Sequence, residues 1–143
     1  MKQAKKLLRS YLRVTQHMSR QFRNYFSQQE LTFPQALVLT VLGEEGAMPI
    51  SRLAQQTGSA NSTVSGIVDR LEKMKLVERV RSEEDRRVIY VALTEEYRAT
   101  QKRMEPSVSA YLAKLLKQMP AEELADICKA LDKLDEVLAR AER

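Results

Sequence analysis

The side chains best suited to recognition chemistry in this sequence are hydroxyls and arginines, gathered in two places. Ser62, Thr63 and Ser65 open the stretch SANSTVSGIVDRLEKM, and Arg86 and Arg87 edge the β-branched segments that follow it. Short hydroxyl side chains at a helix start can reach base edges or phosphates without steric bulk. Arginine carried on a hairpin can meet a phosphate backbone or enter a minor groove, whose negative potential attracts it. Other chemistries have little to work with. One His (His17) and one Cys (Cys128) cannot close a tetrahedral zinc site or an internal disulfide. There is no Gly-rich phosphate loop and no visible nucleophile–base pairing. No catalytic residue, cofactor or metal is expected.

Positioning those side chains requires helices and one hairpin. Leu7, Tyr11, Val14, Met18, Phe22 and Tyr25 recur at steps of three and four, an amphipathic helix over 4–27. Pro34 belongs in the first turn of a second helix, running from Gln35 to about Glu44 and ending near Gly43 and Gly46. Pro49 opens a third, ISRLAQQT, and Gly58 is placed to close it in the left-handed conformation. In the next helix, about 59–74, Val64, Ile67, Val68 and Leu71 form one stripe. Ser62, Ser65, Gly66, Asp69 and Lys73 therefore face outward. LVERVRS and RRVIYVAL alternate as strands joined by a charged tip, Glu83 to Arg86. Thr94 caps a long helix with stripe Tyr97, Met104, Val108, Tyr111, Leu115, and Pro106 predicts a kink within it. After Pro120, Leu124, Ile127, Leu131, Leu134 and Leu138 form a seam of 3.5-residue period.

Composition agrees with this order of elements. The 143 residues carry 4 Gly and 4 Pro, which leaves little room for a loop-rich β-sandwich. The most apolar stretch, ALVLTVL at 36–42, is too short to span a bilayer, and the basic N-terminus has no apolar core run. The expectation is a cytoplasmic protein with no membrane partner. The net charge of +5 is unevenly distributed. Seven basic residues face Glu30 alone over residues 1–30, whereas residues 121–143 hold seven acids against four bases. The ends can attract each other within or between subunits, leaving surplus positive charge for a polyanion.

Two short helices, a tight turn and a basic-edged hairpin describe a winged helix–turn–helix, and the sequence here resembles a known family. Residues 85–94, Asp-Arg-Arg-Val-Ile-Tyr-Val-Ala-Leu-Thr, match the D-x-R-x5-L-T wing signature of the MarR (multiple antibiotic resistance regulator) transcriptional regulators. SRLAQQTGSANSTVSGIVDRLEKMKLVER is similar to the family's helix–turn–helix. The resemblance implies a mainly α fold with a small β-hairpin wing and long N- and C-terminal dimerisation helices. It implies one domain over 1–143, with dimerisation helices at 1–30 and 95–143 and a DNA-binding lobe at 32–94. Ser62, Thr63 and Ser65 would approach the major groove, and Arg86 and Arg87 would sit on the wing. Asp85 would orient Arg87 or Arg70 by a salt bridge. The hydroxyls could equally cap the helix start, and Arg70 could equally take an intramolecular partner. Gly66 stands where many members carry a larger polar or basic residue, so it can approach DNA closely but cannot read a base.

The resemblance also implies a ligand pocket between the dimerisation and DNA-binding parts. Tyr11, Phe22, Tyr25, Phe26 and Phe33 gather where the first helix meets the second, and such a stripe serves as core or as the lining for a phenolic or aromatic-acid effector. The leading function is thus a homodimeric, sequence-specific DNA-binding regulator, a repressor released by a small aromatic or phenolic ligand. Its operator would be a double-stranded pseudo-palindrome. A helical dimeric protein-interaction module that has lost DNA binding is the alternative, to which Gly66 and Asp69 lend weight. Cys128 lies beside the C-terminal seam among acids, a poor setting for a reactive thiolate.

Overall fold

The computed structural model describes residues 1–101 and 107–143, which fall into two compact units, Met1–Ala110 and Tyr111–Arg143. The first unit begins with helix α1, Lys2–Ser27, whose only buried residues are Phe22 and Phe26 near its end. Glu30, at φ 60, turns the chain into α2, Phe33–Glu45. Thr32 caps α2 reciprocally: its hydroxyl accepts from the Gln35 N–H at 3.2 Å, and Gln35 Oε1 accepts from the Thr32 N–H at 3.0 Å. The helix starts two residues ahead of the Gln35 expectation because Pro34 already has the φ of a first helical turn. ALVLTVL supplies its buried centre, with Ala36, Val38, Leu39, Thr40 and Leu42 all inside.

A strand absent from the sequence reading follows. Met48–Pro49 (β1) pairs antiparallel with Ile89–Leu93 (β3), Met48 opposite Val91, and β3 pairs in turn with Val77–Arg81 (β2). Two residues are too few to show alternation, and a proline is tolerated because β1 is an edge strand. Pro49 then caps α3, Ile50–Thr57, which ends at Gly58 with φ 66 and ψ 29. The N–H of Ser59 reaches back to the Ala54 carbonyl at 3.0 Å and closes the helix.

Helix α4, Asn61–Lys73, buries Val64, Val68 and Leu71 against α2, α3 and β2. Lys75, at φ 63, redirects the chain into β2. Thr94 locks the far end of the wing to that turn. Its hydroxyl donates to the Lys75 carbonyl at 2.9 Å and accepts from the Tyr97 N–H at 3.2 Å, so one side chain ties down the turn and caps α5, Glu95–Gln101. The expected Met104 stripe position and Pro106 kink lie outside the described residues. Helix α6, Val108–Leu115, is anchored at its start: the Val108 N–H donates to the buried Thr40 hydroxyl on α2 at 2.9 Å. In the second unit α7, Ala121–Ala141, has no buried residue at all. Of its apolar seam, Ile127, Leu131 and Leu138 stand exposed, and Leu124 and Leu134 are half-buried.

Candidate nucleic-acid interface

The outer stripe of α4 is open. Ser62, Thr63, Gly66, Asp69, Arg70 and Lys73 are exposed, and Ser65 is half-buried. The N-cap of α4 is Ala60, with no side-chain cap hydrogen bond, so capping does not consume the three hydroxyls. They remain available as donors and acceptors. A Cβ added at Gly66 would meet nothing within 4 Å, so this glycine leaves a shallow place on the face.

The wing tip is held by its own polar groups. The Ser82 N–H bonds the Val88 carbonyl at 2.9 Å, and the Ser82 hydroxyl accepts from the Asp85 N–H at 3.2 Å. Asp85 Oδ1 accepts from both the backbone N–H and the Nε of Arg87, at 3.1 and 3.2 Å. Of the two arginines considered for Asp85, the structure therefore selects Arg87. Arg70 is exposed and has no ion-pair partner among the described residues, against the intramolecular alternative. Arg87 keeps 91% of its side chain exposed even while paired, so it can turn to a phosphate at little cost. Arg86 is also exposed, and its carbonyl accepts from Arg81 Nη1 at 3.2 Å.

Two wing arginines were missed from the sequence, Arg79 and Arg81. Arg79 forks onto α4, with Nη2 2.7 Å from Asp69 Oδ1 and Nη1 3.1 Å from Glu72 Oε1. The strand alternation of VERVR puts both arginines on the face of Val77, which was the available signal. From the sequence, Asp69 on the outer face is expected either to pair with a nearby arginine or to accept from a cytosine amino group; the structure gives it Arg79, a choice that no helical or strand period could have made.

The aromatic residues divide. Phe22 stacks on Phe33 with centroids 4.9 Å apart, and Tyr25 meets Phe26 edge-on at 5.0 Å. Phe22 and Phe26, at 3% and 0% exposure, are core residues of the first unit and not an open lining. Tyr11 is 62% exposed and, at 1.5 Å per residue, stands about 20 Å along α1 from Tyr25. Tyr25 and Phe33, the outer member of the stack, are half-buried. Among the described residues no group of three or more His, Cys, Asp or Glu could hold a metal, and no helix is long and apolar enough to cross a membrane.

Comparison with known proteins agrees with this geometry. A model of the MarR family matches residues 31–89, from the capping box of α2 to the start of β3. YfiV of Bacillus subtilis (strain 168), named an uncharacterized HTH-type transcriptional regulator, is 32% identical over 114 residues, covering 80% of this chain and 71% of the relative. The chain belongs to the MarR family. The crystal structure of AbsC, a MarR family transcriptional regulator from Streptomyces coelicolor, superposes with a TM-score of 0.82 at 27% identity, over 97% of this chain and 96% of that one. BpsR of Bordetella bronchiseptica, solved in a study of how 6-hydroxynicotinic acid regulates its DNA binding, gives 0.73 at 28% identity, over 93% and 98%. This MarR-family chain is accordingly a transcriptional regulator with a winged helix–turn–helix, and not an enzyme.

Proposed function

We propose that this MarR-family regulator acts in the cytoplasm as a homodimer on a pseudo-palindromic operator. The observation that carries the reading is the open polar stripe of α4 beside a wing whose Arg86 and Arg87 face solvent. Ser62, Thr63 and Ser65 approach base edges in the major groove, and the wing arginines meet backbone or minor groove. Residues 32–94 form the DNA-binding lobe, and residues 1–30 and 95–143 the dimerisation helices. Support for the dimer comes from α1, where Leu7, Leu8, Tyr11, Leu12 and Val14 are each more than half exposed opposite a basic face. A contiguous apolar face of this kind marks an interface. Asp69 no longer favours an interaction module, since it is engaged by Arg79.

The regulator works as a repressor released by a small aromatic or phenolic ligand. The half-buried rings of Tyr25 and Phe33 support this, as does the likeness to BpsR, whose DNA binding 6-hydroxynicotinic acid regulates. Selection from a random DNA pool tests the reading. A palindrome with half-sites about 10 bp apart is expected, with affinity falling steeply as salt rises. Binding that is salt-insensitive or lacks any shared sequence overturns it.

A further inference from the structure

The recognition helix carries two carboxylates toward its DNA-facing stripe, an awkward arrangement beside a polyanion. Asp69 follows Ser65 by one turn, and Glu72 lies one turn beyond Asp69. Both are substantially exposed, with side-chain exposures of 58% and 44%. Uncompensated, they would repel the phosphates that flank the groove Ser62 and Ser65 enter. Arg79 reaches across from β2 and meets one oxygen of each, at 2.7 and 3.1 Å, with 26% of its own side chain exposed. Its planar fork fits two separate acceptors, which a lysine ammonium cannot match in geometry.

We propose that Arg79 is a positioning residue for DNA recognition. It neutralises Asp69 and Glu72 from the first wing strand, so the recognition helix meets the duplex without an opposing negative field. An exposed ion pair adds little to stability, so its main effect falls on the field the helix presents. Arg79 is thereby separated in role from Arg86 and Arg87: it touches protein, and they touch DNA. This inference rests on the DNA-binding reading above.

Four proteins decide the matter: wild type, Arg79→Ala, Asp69→Asn/Glu72→Gln, and the triple variant. Each is first checked for a native circular dichroism spectrum, and Arg79→Gln replaces Arg79→Ala if the latter does not fold. Affinity for the selected operator duplex and for a random duplex is then followed across a salt series. Arg79→Ala should bind both duplexes about tenfold more weakly, from uncompensated charge at close range. Its salt slope should stay that of wild type, because no phosphate contact is lost, and the triple variant should recover wild-type affinity. A direct phosphate contact by Arg79 would instead lower the slope by about two, one for each protomer of the dimer, and leave the triple variant weak. That result overturns the inference, as does any other pairing of the two readouts, including an Arg79→Ala protein equal to wild type. Wild type that binds no duplex overturns the DNA-binding reading itself, and this inference with it.

Discussion

Arg87 is held by a carboxylate that it can leave. Asp85 aligns its backbone and side chain, yet 91% of that side chain remains in solvent. A cation so placed would meet phosphates or a groove floor with no base preference of its own. Arg87→Ala is therefore expected to weaken binding to every sequence and to lower the salt slope by about two, one for each protomer of the dimer, as a titration over several salt concentrations would show. Ser65→Ala and Thr63→Ala should instead alter preference at particular base pairs by about 1–3 kcal/mol, read by competition between operator variants. The aromatic side chains separate in a different way. Phe26, fully buried, should cost about 3–5 kcal/mol in denaturant unfolding when truncated to alanine. Tyr25→Ala removes a half-buried ring that meets Phe26 edge-on, so it should cost less than Phe26→Ala, about 1–2 kcal/mol, and blunt the loss of DNA binding caused by an aromatic carboxylate.

Two glycines show how the same residue serves opposite ends in successive elements. Gly58 closes α3 at φ 66, where a Cβ would meet nothing but the backbone itself resists a side chain. Gly66 lies inside α4, equally unobstructed, with no such backbone demand. Gly58→Ala should destabilise by about 1–2 kcal/mol, and Gly66→Ala should stabilise by about 0.5–1 kcal/mol while filling the shallow place on the recognition face. Paired thermal melts would show the opposite signs. The helices were legible because their signals are local: apolar steps of three and four, Thr32 ahead of Pro34, Gly58 after the last turn. The stripe on α4 was legible for the same reason, since Val64, Val68 and Leu71 fix which side is out. The strand at Met48–Pro49 was not, because only its partners Val91 and Tyr90 on distant β3 make it a strand. The Arg79 fork was hidden likewise, and the aromatic group read as one cluster because sequence shows periodicity and not how far Tyr11 lies along a straight helix.

In the whole molecule, apolar surface is left uncovered at both ends of the chain. The first unit exposes one side of α1, and the second has in α7 a helix of 21 residues with nothing buried. Burial returns about 25 cal/mol per Å² of apolar surface, so such faces drive association until they are covered. Sedimentation at micromolar concentration should give a dimer, and the unfolding midpoint should rise with protein concentration. A monomer with a concentration-independent midpoint would contradict the proposed assembly.

Thr40 is 5% exposed, and its hydroxyl accepts from the Val108 N–H while donating to the Ala36 carbonyl at 2.7 Å. Its consequence is a clock. The amide hydrogen of Val108 can trade for deuterium only when the first turn of α6 lifts off α2, so its exchange rate reports how often that turn opens. Thr40→Val keeps the shape and removes the acceptor, leaving a buried N–H unpaired at a cost of about 1–3 kcal/mol. Exchange at Val108 should then quicken about tenfold or more, with the amides in the middle of α2 slowed or hastened only as much as global stability changes.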